Sequence, residues 1–329
     1  METRGRPSAE DVQRLFIGPP PSYTRHQVAE SAGIPQELAG RIWRALGFAT
    51  VADDAVAFTD GDLSALRRIR DMLDAGLLDE LTVVRMARAL GRTTSRLAQW
   101  QAEIMIGAML DPHTAPSDDD LIRMTETARR VLPDFEQTLV HVWRSQLAAT
   151  ASRLIAMAQL GDEALPGRLA MAVGFADLVS FTRVSRDLDE FALAGLIEGF
   201  EARTSDVIAA HGGRLVKTLG DEVLFTSESP ETAALIGLDL ADQLKLDVQG
   251  PDVRIGLAYG PVLLTLGDVF GTTVNLAARL TSIARPGTIV IDSGMAEGLG
   301  GVSGIEVMKI RRRPARGLGL VQPYVLRRG

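Results

Sequence analysis

From the start of the chain to about residue 130, apolar residues recur every three to four positions, the spacing of one helix face. In TRHQVAESAGIPQELAGRIWRALGF (24–48), Val28, Ala32, Ile34, Leu38, Ile42 and Leu46 keep that spacing, with a break at Gly33-Ile34-Pro35. FTDGDLSALRRIRDMLDAGLL (58–78) predicts another helix, capped by Thr59 or Asp60 and ending near Gly76. TVVRMARALGRTTSRLAQWQAEIMIGAML (82–110) predicts one or two more, and 111–120 reads as a loop. Asp134 to about Leu160 predicts one long helix, striped by Phe135, Leu139, Val142, Leu147, Leu154 and Met157. GDEALPG (161–167) then marks a boundary. Trp43, Trp100 and Trp143 are expected in the core.

From Arg168 the rhythm changes. LAMAVGFADLVSFT (169–182) reads as a buried strand running into a loop, and Asp189–His211 as a helix. Arg214–Leu219 and Val223–Phe225 flank Gly220-Asp221 and predict a tight hairpin. A helix over Thr232–Leu246 follows, then two strands about Gly260-Pro261, a helix over Thr273–Ala284 and a strand in GTIVID (287–292). The order β-α-β-β-α-β predicts an α+β domain of the split-βαβ plan, an antiparallel sheet with helices on one face, preceded by an all-α domain. The expected division is 1–133 helical, 134–167 linker helix and joint, and 168–329 the sheet domain.

Composition narrows the function classes. The 329 residues contain no cysteine, which excludes disulfides and thiolate chemistry and fits a reducing compartment. The start METRGRPSAED lacks the apolar stretch of a signal peptide. The longest apolar, uncharged run, Ile255–Gly267, falls short of the roughly 20 residues a membrane span needs. The expectation is a cytoplasmic protein without a membrane partner. Net charge is −7, evenly spread: residues 1–150 carry 17 Arg and 21 acids, the remainder 18 basic residues and 21 acids. Neither half has the basic excess of a nucleic-acid binder, so that partner is not expected. Only three of the 35 basic residues are lysine, which makes Lys217 on a core-like hairpin conspicuous.

Three aspartates, Asp177, Asp221 and Asp268, stand at strand ends or turns. Any one alone is an ordinary turn residue. Asp177 closes an apolar strand, where a carboxylate is costly unless it meets a cation. Two carboxylates on neighbouring strand ends could hold Mg²⁺, which takes one or two protein carboxylates together with substrate phosphates. Asn275 and Arg279 lie four apart on a predicted helix, so they share a face. They read either as a capping Asn and a solvated Arg, or as a hydrogen bonder and a cation aimed at one anionic ligand.

FADLVSFT (175–182), KTLGDEVLF (217–225) and DVFGTTVNLAAR (268–279) together resemble the class III nucleotidyl cyclases, the adenylyl and guanylyl cyclase family, over about residues 168–329. The resemblance implies the ferredoxin-like cyclase fold and carries roles by position. Asp177 and Asp221 match the metal pair, for two Mg²⁺ or Mn²⁺ ions per site. Lys217 and Asp268 match the purine-selecting pair, and Asn275 and Arg279 the transition-state pair. The backbone at Leu178 and around Phe181-Thr182 matches the part near the second metal and the phosphates. Ser180 stands where the family often has Gly, and Arg316 in RRRPARGLGL (311–320) is the best match to a basic residue that contacts the triphosphate. A Lys donor with an Asp acceptor complements adenine N1 and its 6-amino group, and guanine reverses that pattern, so ATP is the expected substrate. The resemblance implies an adenylyl cyclase converting ATP to 3′,5′-cyclic AMP and pyrophosphate, with two sites in a symmetric homodimer. The alternative is a non-catalytic nucleotide-binding pseudo-cyclase or a transcriptional regulator.

Residues 22–75 loosely resemble a MerR-like winged helix, and the whole arrangement is more similar to actinobacterial cyclases with a helical N-terminal regulatory domain. His26, His113 and His141 lie in this half; as surface or capping residues they are unremarkable, and as titrating groups they would admit a proton input. A small molecule is the other candidate input.

Overall fold

Short capped helices build the first half. A computed structural model describes residues 6–111, 114–159, 168–179, 181–245, 252–265, 267–315 and 317–329. Its contacts divide the chain into two units, 1–160 and 161–329. The first contains α1 (Ala9–Ile17), β1 (Tyr23–Thr24), α2 (Arg25–Ala32), α3 (Gln36–Leu46), β2 (Val56–Phe58), α4 (Asp60–Asp74), α5 (Glu80–Met109) and α6 (Asp118–Gln159). Thr24 opens α2 and Thr59 opens α4, each by a capping box in which the hydroxyl accepts the N–H of the third helical residue. Gly33 ends α2 in the left-handed conformation, which is the break read at Gly33-Ile34-Pro35. Val28, Ala32, Leu38, Ile42, Leu66 and Val83 form this unit's core.

Several expectations need correction here. The helical half also carries a small antiparallel ladder, β1 on β2. Residues 82–109 belong to one helix, within the one or two expected. The long helix starts at Asp118, not Asp134, because Ser117 and Asp120 make a reciprocal cap (Asp120 N to Ser117 Oγ 3.2 Å, Ser117 N to Asp120 Oδ2 2.9 Å) and Pro133 is accommodated inside. Trp43 is buried as expected, but Trp100 and Trp143 are 46% and 59% exposed, as are Leu139, Val142 and Leu147 on the α6 stripe to a similar degree. The side chains of Leu154 and Met157, His113 and the joint at 161–167 lie outside the described residues.

The second unit contains β3 (Arg168–Leu178), α7 (Phe181–Asp187), α8 (Glu190–Ala210), β4 (Arg214–Leu219), β5 (Glu222–Ser227), α9 (Pro230–Lys245), β6 (Val253–Thr265), β7 (Asp268–Phe270), α10 (Thr272–Ile283), β8 (Ile289–Ile291), α11 (Ser293–Gly298), β9 (Ile305–Lys309), β10 (Arg313–Ala315), β11 (Gly319–Val321) and β12 (Tyr324–Arg328). The sheet order is β4-β5-β3-β6-β8-β12-β9, with β7 on β6; only β6 and β8 are parallel. Strands β10 and β11 form a separate hairpin.

The sheet is covered on both faces, which overturns the one-face expectation. Ala172, Ala176, Phe225, Ile255 and Leu257 face a cluster with Phe200 and Val207 of α8 and Ile236 and Leu240 of α9. Val173, Phe175, Leu224 and Ala258 face Ala277 and Leu280 of α10 on the other side. The continuous apolar run of β3 follows from this, since both of its faces are buried. VRIGLAYGPVLLT is also one strand rather than two. Proline is tolerated at 261 because β8 pairs only Ile255–Leu257 and β7 joins that edge of β6 only from Leu263, which leaves position 261 without a strand partner there. Among the described residues no helix is long and apolar enough to cross a membrane.

Candidate active site

Strand β3 delivers Asp177 to the end of the sheet, only 8% exposed. The β4–β5 hairpin turns at Gly220-Asp221 beside it. Gly220 takes φ 71°, a left-handed angle open to glycine. Leu178 N donates to Asp221 O at 3.0 Å, so the turn is stitched to the end of β3. The two aspartates expected to act as a pair therefore share one end of the sheet.

Two further charges join them through strand register. Glu222 on β5 and Arg254 on β6 both pair with Asp177, one on each side. Arg254 Nε donates to Asp177 Oδ2 at 2.5 Å, and Nη2 stands at the same distance from that oxygen in the ion pair. Burial pushes the Asp177 carboxyl up; Arg254 opposes this, and Asp221 adds to it. Glu222 is raised by burial first and then by Asp177 and Asp221. Three carboxylates thus crowd around one guanidinium, and the end of the sheet is short of positive charge. Arg254 is not among the residues that the sequence pattern singles out. The available signal is a charged residue second in an otherwise apolar strand.

This donor set fits a divalent cation of the Mg²⁺ or Mn²⁺ kind. Among the described residues no three acidic or histidine side chains converge to hold an ion alone. That matches hard cations completed by substrate phosphates. Burial keeps the carboxylates costly, and an added cation would relieve them.

Lys217 reaches the same sheet by a different device. The β4–β5 register shifts between Leu215 and Lys217, so Val216 is an extra residue and Lys217 pairs with Leu224. This bulge turns Lys217 to the face that α10 covers, where Leu224 packs. There its Nζ donates to Asp268 Oδ2 at 2.6 Å, while Asp268 Oδ1 accepts Val269 N at 2.8 Å. Two residues 51 apart in the chain, matched from sequence as a donor–acceptor pair, are in contact.

Asn275 and Arg279 project from α10 into solvent, and neither side chain makes a hydrogen bond or ion pair among the described residues. The helix starts at the far end of β6: Thr273 Oγ1 donates to Pro261 O at 2.8 Å. Asp177 lies opposite Arg254, seven residues back along the same strand, about 23 Å at ~3.3 Å per residue. The helix then runs back along β6, with Ala277 O and Thr281 N over Gly256, and neither Asn275 nor Arg279 makes a hydrogen bond or ion pair with Asp177 or Asp221 among the described residues. Phe181 starts α7 and packs on the β3 core cluster. The side chain of Thr182, and Ser180 and Arg316 altogether, lie outside the described residues.

Both halves of the chain are similar to known proteins. Residues 168–327 match the adenylate and guanylate cyclase catalytic domain, and residues 11–148 match the adenylate cyclase regulatory domain. An adenylate cyclase of Streptomyces coelicolor is 42% identical over 98% of this chain and 90% of its own length. One from Streptomyces griseus is 42% identical over 91% of this chain and 74% of its own. Among solved structures, the adenylyl cyclase CyaB of P. aeruginosa is 22% identical and covers 49% of this chain and 95% of its own, with a TM-score of 0.46.

Proposed function

The chain belongs to the adenylate and guanylate cyclase family and is an adenylate cyclase with a regulatory domain ahead of its catalytic domain, and from that premise we propose that it converts ATP to 3′,5′-cyclic AMP and pyrophosphate at a site shared by two copies. The observation that carries the shared site is that Asn275 and Arg279 face solvent and, among the described residues, touch neither aspartate of their own chain. Asp177 and Asp221 occupy one end of the sheet, and Asn275 belongs to a helix anchored near the other. A second copy in two-fold symmetry would place the Asn275–Arg279 face of one chain opposite the carboxylates of its partner.

In that arrangement Asp177 and Asp221 are the residues that would hold two Mg²⁺ or Mn²⁺ ions. When bound, the ions supply Lewis-acid activation of the ribose 3′-hydroxyl and neutralise the departing pyrophosphate. Lys217 gives up its bond to Asp268 and donates to adenine N1, and Asp268 accepts from the 6-amino group. The free pair is thus preset for an adenine edge. Asn275 orients the ribose, and Arg279 stabilises charge developing on the α-phosphate as the 3′-oxygen attacks in line and the bond to the β-phosphate oxygen breaks. Backbone at Leu178, Phe181 and Thr182 lines the phosphates, with Arg316 a further contact to the triphosphate.

The domain division at 133 and 167 is retained as a proposal, with α6 as the mechanical link that lets the first half bias turnover. A cavity of about 760 Å³ in the first unit, lined among others by Arg14, Trp43, Phe48, Val51, Phe58 and Asp62, is the place for a small-molecule input. Histidines 26, 113 and 141 are the place for a proton input. The test is to incubate the purified chain with ATP and Mn²⁺ and measure cyclic AMP, then to mix Asp177→Ala and Asn275→Ala proteins, each inactive alone. Activity returns on subunit exchange if the residues belong to complementary halves. No return after exchange is verified by mass refutes the shared site, and no cyclic AMP from the native chain would leave the nucleotide-sensing pseudo-cyclase.

A further inference from the structure

Asp177 is not free to wait for a cation, because Arg254 already holds it. Its Nε donates to Oδ2 at 2.5 Å, and the charged Nη2 lies equally close to the same oxygen. Strand register fixes the pairing: residue 254 is the cross-strand neighbour of residue 177, so the contact does not depend on a loop. The arginine side chain is 37% exposed while the Asp177 side chain is 12% exposed. The cation thus sits at the surface and the anion beneath it. Asp221 and Glu222 crowd the anion from the other side, and Arg254 is the basic residue that acts on both Asp177 and Glu222.

We infer that Arg254 is the resident counter-cation of the metal-binding end of the sheet: it occupies Asp177 in the nucleotide-free protein, and a divalent ion binds in competition with its charge. The inference rests on the reading of Asp177 and Asp221 as the metal pair. The charge count supports the role. Three carboxylates and one guanidinium leave two negative charges, which one divalent ion neutralises. Without Arg254 three negative charges would stand unopposed, which costs the free protein stability and favours any added cation. Arg254 is a positioning residue in this scheme: it acts on Asp177, and its effect is on how tightly the site loads.

The sign follows directly. Arg254→Met removes the competing charge and keeps most of the aliphatic stem, so metal binds more tightly. Arg254→Lys keeps the charge but loses the Nε hydrogen bond and the planar fork, so its metal affinity stays near that of the native protein. A residue needed only for packing would shift neither affinity in this order.

The experiment titrates Mn²⁺ into full-length, nucleotide-free protein at pH 8 and counts free ion by electron paramagnetic resonance. Melting is followed in parallel with EDTA and with saturating Mn²⁺. Expected are about tenfold tighter Mn²⁺ binding by Arg254→Met, near-native binding by Arg254→Lys, and a melting temperature of Arg254→Met that is lowered in EDTA and restored by Mn²⁺. Binding by Arg254→Met that is unchanged, weaker or undetectable overturns the inference. Asp177→Asn separates the two levels. If it binds Mn²⁺ like the native protein, the metal pair itself is misassigned. If it loses binding while Arg254→Met is unchanged, only the role of Arg254 falls.

Discussion

Helix α10 lies so close to the sheet that one methyl group would displace it. A Cβ built on Gly256 would stand 2.2 Å from Thr281 N and 2.4 Å from Ala277 O, both backbone atoms of α10, against the 3.4 Å at which ordinary contact begins. The shortfall is about 1.2 Å. Strand β6 is hydrogen-bonded to β3 and β8 at this position, so the helix has to yield rather than the strand. Gly256→Ala is thus expected to lift α10 by about 1 Å and to strain its packing through Ala277 and Leu280. Overpacking of this kind costs about 1–3 kcal/mol, or a melting temperature lower by roughly 2–10 °C. The catalytic effect is larger: α10 carries Asn275 and Arg279, and a displacement of ~1 Å at a positioning group costs about a hundredfold in turnover. The assay is kcat for cyclic AMP at saturating ATP and Mn²⁺, with melting and Mn²⁺ affinity measured on the same sample. Gly256 pairs with Phe175, two residues from Asp177, so Mn²⁺ affinity reports whether the strand end moves too; it is expected to hold because β6 stays hydrogen-bonded to β3 and β8 while the helix yields. Mixing adds a direction to the test: Asp177→Ala protein restores activity to Gly256→Ala, and Asn275→Ala protein does not. Turnover within twofold of native in a folded variant, or equal recovery with both partners, refutes the reasoning.

Other expectations are sharper for being local. Lys217→Glu with Asp268→Cys reverses the polarity of the base-reading pair, and the ratio of kcat/KM for ATP over GTP is expected to fall by about two orders of magnitude, at ~1.5–3 kcal/mol per charged hydrogen bond; an unchanged ratio removes the pair from base selection. A chain starting near residue 165 is expected to turn over several-fold faster than the full protein at matched dimer fraction, the usual scale of a coupling of about 1–3 kcal/mol. Identical rates and pH profiles end the regulatory proposal, while a changed rate with an unchanged profile removes only the histidines. Asp239 supplies a pH test of stability. Burial raises its carboxyl, but hydrogen bonds from His211 at 2.6 Å and from Arg328 outweigh that and hold it below its ordinary value. A depressed folded value means the stabilisation is present above the ordinary carboxylate range and is lost as pH falls through the folded value. The advantage of native protein over Arg328→Ala, at most ~1 kcal/mol for so exposed a group, is therefore expected in full in urea melts at pH 6, to shrink as pH falls below about 4, and to vanish once pH is below the folded value. A constant difference across that range would assign the effect to β12 packing instead.

Local sequence determined a good deal of this protein. The capping residues Thr24 and Thr59, the turn at Gly220-Asp221, the change of period near residue 168 and the apolar run of β3 are each written within about ten residues. Elements depend on such short-range preferences, so their order was legible. The motif residues were legible as chemistry too, since Lys217 stands out in a chain that otherwise uses arginine. Tertiary structure decided what those residues meet. Arg254 reaches Asp177 across 77 positions of chain, and only the β3–β6 register makes them neighbours. The bulge after Leu215 decides which face Lys217 occupies, and a shift of one residue would have turned it to the opposite side. Coverage of both sheet faces followed from where α10 packs, and the exposure of Trp100 and Trp143 from the lack of a covering element among the described residues. Register, face and cover depend on pairings between distant segments, and periodicity within one segment carries no information about the strand that will lie beside it.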